Sequence, residues 1–185
     1  MDGHKIIVIG CSAGGVEALS TLVSGLPEDL VASVCIAQHI PPARKSALPS
    51  ILTRVGTLPA VYPHDGMPLQ AGTIFLAPPG HNLSIHCEGV VVTLAGQKSS
   101  PSIDLLFSSA ADSYGPRVIG VILTGLLTDG TVGMQAIKHM GGTTIIQNPL
   151  EAQYPAMPRS AQAHCTIDYC LTLAQIAPLL QALSS

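Results

Sequence analysis

The sequence predicts an α/β protein with a doubly wound, mainly parallel sheet flanked by helices, and a small antiparallel β-hairpin. Three observations carry this reading. Short strand-like runs alternate with helix-period segments along the chain, which is the order of βαβ units. Many of the runs are continuously apolar, such as Ile6-Ile7-Val8-Ile9 and Val118-Ile119-Gly120-Val121-Ile122-Leu123. That pattern suits strands covered on both faces. With 47% hydrophobic residues, 3% aromatic and no Trp, the core has to be aliphatic. At 185 residues the chain is expected to be one domain, 1–185, large enough to bury a core without staples.

The elements follow in order. Lys5 to Gly10 is a strand that stops at a glycine, and Ser12-Ala13-Gly14-Gly15 leads into a helix over Val16 to Ser24, ended by Gly25-Leu26-Pro27. Val31 to Ala37 is a second buried strand, running into Gln38-His39-Ile40-Pro41-Pro42, where the prolines end any ladder. Lys45 to Val55 reads as a helix with Pro49 disturbing its first turn. Ala60 to Tyr62 and Thr73 to Ala77 are short strands. Leu83 to Cys87 and Val90 to Leu94, around Glu88-Gly89, read as a hairpin. Ser102 is a candidate cap for a helix over Ile103 to Ser113. Val118 to Leu123 is a strand, Thr131 to Met140 a helix and Thr143 to Ile146 a strand. Pro155 to Pro158 is expected to be a loop before a short helix, Arg159 to His164. Ile167 to Leu171 and Leu173 to Leu183 are the last strand and helix.

Composition excludes several roles. A net charge of −3 without a basic cluster argues against nucleic acid. No apolar run approaches the roughly 20 residues of a membrane helix, so no membrane insertion is expected. Met1-Asp2-Gly3-His4 goes straight into a strand, and no secretory signal is expected. The five cysteines are odd in number and lack a C-x-x-C pair, which suits free thiols in a reducing cytoplasm. No group of residues has metal-ligand spacing, so no metal and no cofactor are expected.

In a doubly wound sheet, ligands bind beyond the carboxyl ends of the strands. The polar residues expected there are Ser12, Gln38, His39, Asp65, Thr124, Asp129, Gln147 and Asn148. Gly10-x-Ser12-x-Gly14 is the spelling of a nucleophile raised on a strand-to-helix turn. Ser12 as nucleophile, His39 as base and Asp129 as the group that orients the imidazole form the parts of a catalytic triad. Ala13 offers a backbone N–H for an oxyanion, and Gly125 or Leu126 could supply a second; Gln38 is expected to line the site. Each residue also has a plainer role, with Ser12 and Asp129 as helix caps and His39 as a loop histidine. A phosphate-binding turn is the competing use of the first loop. It fits worse, because Ser12 stands where the middle glycine belongs and the second strand ends in Gln38-His39 rather than an acid.

With these residues assembled, the chain resembles the catalytic domain of bacterial chemotaxis protein-glutamate methylesterases. The resemblance rests on Ile9-Gly10-Cys11-Ser12-Ala13-Gly14-Gly15, Gln38-His39-Ile40-Pro41-Pro42, Ala77-Pro78-Pro79-Gly80, Pro101 to Phe107, Val121 to Gly125 with Asp129-Gly130, and Met157-Pro158-Arg159-Ser160-Ala161. It implies a single methylesterase-like catalytic domain with Ser12, His39 and Asp129 as the triad. It implies, as substrate and partner, γ-methyl glutamate esters on the cytoplasmic domains of chemoreceptors. Deamidation of receptor glutamines is a second family activity. The family is usually built with a receiver domain ahead of the esterase, and none is expected in this chain. Three positions depart from the family pattern: Ala13 where a threonine is frequent, Ser99-Ser100 where an arginine is common, and Leu127 where a glycine stands. If position 127 needs a positive φ, its turn is expected to differ. These departures motivate an alternative, a catalytically weak receptor-binding or signalling module that retains the esterase fold.

Overall fold

The computed structural model describes residues 4–40, 46–87, 89–94 and 101–185. Among them, strands β1 (Lys5–Cys11), β2 (Ala32–Gln38), β3 (Ala60–Val61), β4 (Ile74–Leu76), β7 (Val118–Ile122), β8 (Thr143–Gln147) and β9 (Tyr169–Leu171) form one parallel sheet. Strands β5 (His81–His86) and β6 (Gly89–Leu94) form a separate antiparallel pair. The helices are α1 (Gly15–Ser24), α2 (Leu48–Val55), α3 (Ile103–Tyr114), α4 (Thr131–His139), α5 (Ala156–His164) and α6 (Leu173–Ser184).

The strand order is β3-β4-β2-β1-β7-β8-β9. From β1 the chain adds β2, then the edge strand β3, then β4 between them, and it returns to β7 before winding outward through β8 and β9 on the other side. The order therefore reverses between β1 and β7, and a crevice opens at the carboxyl ends of those strands. Alternation of side chains along β1 feeds two cores. Ile7, Ile9 and Cys11 pack with α1, α2 and α6, while Ile6 and Val8 pack with α3, α4, α5 and the hairpin. Both faces are thus buried, which explains the continuous apolar runs.

The structure adjusts some boundaries. Helix α5 begins at Ala156, inside the stretch expected to be a loop. Pro158 does not prevent this, because a first-turn residue has no intrahelical acceptor for an N–H. Helix α2 begins at Leu48 with Pro49 in its first turn; the expected start at Lys45 lies outside the described residues. His86 pairs with Gly89, so Gly89 belongs to the second strand rather than to the turn; Glu88, the other expected turn residue, lies outside the described residues. All five cysteines are free thiols.

Candidate active site

Ser12 follows β1 directly. Its N–H donates to the Thr124 carbonyl at 3.0 Å, extending the β1–β7 ladder by one step. The turn then needs a left-handed residue, and Gly14 supplies it with φ 73° as the N-cap of α1. That cap makes no side-chain hydrogen bond, so the Ser12 hydroxyl is not used to cap the helix. Cys11 points the other way, fully buried, and burial pushes its thiol pKa far up. Ser12 is thus the half-exposed member of the pair.

His39 follows β2, the other neighbour of β1. Its N–H donates to the Cys11 carbonyl at 3.1 Å, which sets its backbone beside that of Ser12. Its ring bridges the two other groups. Nδ1 lies 3.2 Å from Ser12 Oγ and Nε2 lies 2.7 Å from Asp129 Oδ2. A carboxylate accepts only, so Nε2 carries the proton and Nδ1 presents a lone pair to the serine. The two ring nitrogens are exchanged relative to the usual serine-protease arrangement, in which Nε2 faces the serine.

Asp129 comes from the loop after β7, and its anchor is the start of α3. Oδ2 accepts the Ile103 N–H at 2.9 Å and Oδ1 accepts the Asp104 N–H at 3.0 Å. Asp129 is therefore not the cap of its own helix α4, whose N-cap is Gly130 with no side-chain bond; it binds the first amides of a helix that precedes it by some 25 residues in sequence, and it faces His39 at the same time. Asp104 answers in kind, because its Oδ1 accepts the Gly133 N–H of α4 at 2.7 Å. The two helix starts thus exchange carboxylates. Burial pushes the Asp129 pKa up, but the His39 bond and the two α3 amides outweigh it and leave the carboxyl below its ordinary value. For Asp104, burial and the neighbouring Asp129 leave the pKa raised. Sequence reasoning missed Ile103 and Asp104. The Pro101 to Phe107 motif was in view, but no local pattern links it to Asp129.

The remaining expected residues separate. Among the described residues, the N–H groups of Ala13 and Leu126 meet no acceptor in the protein. The Gly125 N–H donates to the Tyr154 carbonyl at 2.9 Å and is not free for a substrate oxygen. Gly125 matters for its missing side chain instead. A Cβ there would collide with Met157 Sδ and lie 2.9 Å from Ser12 Cβ. Gln38, expected in the lining, is instead 6% exposed and bonded beneath the loops. Thr124 joins three segments, with its N–H on Gln147 Oε1, its hydroxyl on the Ala13 carbonyl, and the Tyr154 N–H on its Oγ1. Leu127 holds a left-handed φ of 67°, a conformation that glycine adopts without strain. The leucine takes on strain of about 1 kcal/mol.

A serine, an imidazole and an anchored carboxylate at the switch point of a parallel sheet define the arrangement of a serine hydrolase. The family model described as CheB methylesterase matches residues 7–180. The crystal structure of the Thermotoga maritima CheB methylesterase catalytic domain superposes with a TM-score of 0.89 at 30% identity, covering 97% of this chain and 98% of that one. A Leptospira interrogans relative is 36% identical over 179 residues, covering 95% of this chain and 93% of that protein. A Moorella thermoacetica protein-glutamate methylesterase/protein-glutamine glutaminase is 37% identical over 188 residues, covering 98% of this chain and 44% of that protein. The chain thus spans nearly all of the first relative and under half of the second. The chain belongs to the CheB methylesterase family, and with it to the carboxylic ester hydrolases.

Proposed function

We propose that residues 1–185 act as one catalytic domain that hydrolyses γ-methyl glutamate esters on the cytoplasmic domains of chemoreceptors, in the cytoplasm, with Ser12, His39 and Asp129 as the triad. The observation that carries this reading is the continuous path from Ser12 Oγ through the His39 ring to Asp129, with spacings of 3.2 and 2.7 Å. His39 Nδ1 takes the hydroxyl proton as Ser12 Oγ attacks the ester carbonyl. The imidazolium that forms is stabilised by Asp129 and returns the proton to the methoxide, so methanol leaves. Water then repeats the sequence on the acyl-enzyme and frees the glutamate carboxylate. The Ala13 and Leu126 N–H groups are the candidate donors to the tetrahedral oxyanion. The same acyl-enzyme route serves a glutamine side chain, with ammonia as the leaving group.

Methanol release from a methylated receptor cytoplasmic domain tests this. Ser12→Ala is expected to abolish it, and a serine-directed fluorophosphonate is expected to label wild-type Ser12. Turnover at the wild-type rate in Ser12→Ala would refute the assignment. Absence of labelling with receptor binding intact would make the chain a binding module instead. Among the described residues, no helix is long and apolar enough to cross a membrane.

A further inference from the structure

Gln38 is the last residue of β2, paired in register with Cys11 at the end of β1. Beyond the His39 N–H to Cys11 carbonyl bond, the β1–β2 ladder ends. The next tie between the two loops is the Gln38 side chain. Its Nε2 donates to the Ser12 carbonyl at 2.9 Å and to the His39 carbonyl at 3.2 Å. Its Oε1 accepts the Cys11 thiol at 2.8 Å. The orientation of the amide is fixed by chemistry, because the reversed rotamer would set Oε1 against two carbonyl oxygens. Space for it is made by Gly15, where a Cβ would collide with Gln38 Oε1. One buried, fully bonded amide thus holds the backbone of the serine and the backbone of the histidine together.

We propose that Gln38 is a positioning residue for hydrolysis. The proposal rests on the reading of Ser12 as nucleophile and His39 as base. The Gln38 amide bonds two backbone carbonyls and a buried thiol, and neither the Ser12 hydroxyl nor the His39 ring. It fixes the separation of two strand ends, and through it the 3.2 Å approach of His39 Nδ1 to Ser12 Oγ. Without the amide, the Ser12 carbonyl keeps its bond from the Gly15 N–H, whereas the His39 carbonyl loses this donor. The histidine loop then drifts relative to the serine turn.

Two variants test this, assayed well below their melting temperatures. Gln38→Met keeps length and volume but has no hydrogen-bonding amide. Its kcat is expected to fall about 10- to 100-fold, the scale of a small misplacement of reacting groups. KM is expected to stay near the wild-type value, and fluorophosphonate labelling of Ser12 to slow in the same ratio. Gln38→Glu carries a second signature. As the neutral acid it has one O–H for a loop carbonyl and a carbonyl for the Cys11 thiol; as the carboxylate it would face two carbonyl oxygens. The groups around it are Cys11, held protonated by burial, His39, and Asp129 beyond His39. Activity of Gln38→Glu is therefore expected to decline as this carboxyl ionises, adding a titration absent from wild type and Gln38→Met. This profile also serves if Gln38→Met does not fold. Wild-type kcat and labelling in Gln38→Met, or a Gln38→Glu profile parallel to wild type, would overturn the positioning role. Failure of wild-type Ser12 to label would instead overturn the reading on which it rests.

Discussion

Replacing Asp129 by Asn separates the two jobs of that carboxylate. Oδ2 accepts from both His39 Nε2 and the Ile103 N–H, while Oδ1 accepts from the Asp104 N–H. An Asn has one oxygen. If it takes the Oδ2 place, the imidazole keeps its tautomer, and the Asn NH2 opposes the Asp104 N–H. The imidazolium formed in the transition state then loses a neighbouring charge worth about 4 kcal/mol at 4 Å and an effective dielectric of 20, or roughly 10³ in rate. If the oxygen takes the Oδ1 place, the NH2 group faces Nε2, and Nδ1 is forced to hold the proton that blocks it as a base. That wrong-tautomer penalty is about 10⁴ in an analogous triad. A kcat loss of about 10³ to 10⁴ is therefore expected, measured by methanol release. Either orientation leaves a donor at the start of α3 unpaired and removes an anion there, at a cost of about 1–3 kcal/mol. The sign of the pH dependence follows from the lowered folded-state pKa of Asp129. Its stabilisation is fully present above the ordinary value of 3.8 and is lost as pH falls through the depressed value. The melting-temperature gap between wild type and Asp129→Asn is expected to be wide at neutral pH and to close in acid. A kcat within tenfold of wild type, or a gap that widens in acid, would refute this account.

Three further outcomes are expected. Gly125→Ala drives a methyl into Met157 and against Ser12, so denaturant unfolding should show a loss of about 1–3 kcal/mol together with reduced turnover. Ser102→Ala removes the hydroxyl that accepts the Leu105 N–H at 3.2 Å, costing about 1 kcal/mol in denaturant unfolding with little change in kcat. Leu127→Gly relieves a left-handed leucine whose side chain is 77% exposed. Relief of about 1 kcal/mol is partly offset by the greater freedom of glycine in the unfolded chain, so the melting temperature should rise by no more than about 2–4 °C.

Periodicity and residue type disclosed most of the architecture. Buried strands such as Ile6 to Ile9 and Val118 to Leu123 announce themselves because both of their faces are covered. The strand-end positions of Ser12 and His39 follow from where those runs stop. Their meeting with Asp129 did not follow. It depends on β2 and β7 lying on either side of β1, and strand order is set by long-range packing that leaves no local mark. The same limit hid the anchoring of Asp129 by Ile103 and Asp104, since the bond joins two helix starts brought together only by α3–α4 packing. Gln38 shows the limit at one side chain. A polar residue at a strand end reads equally as lining or as brace, and only the tertiary structure shows its amide on the carbonyls of Ser12 and His39, in the space opened by Gly15. The sequence by itself determined the fold class and the identities of the serine, the histidine and the aspartate, because these depend on local pattern and chemical type. The tertiary structure decided which ring nitrogen faces which partner, which backbone N–H groups stay free, and what holds the three groups in place, because those are distances between segments far apart in the chain.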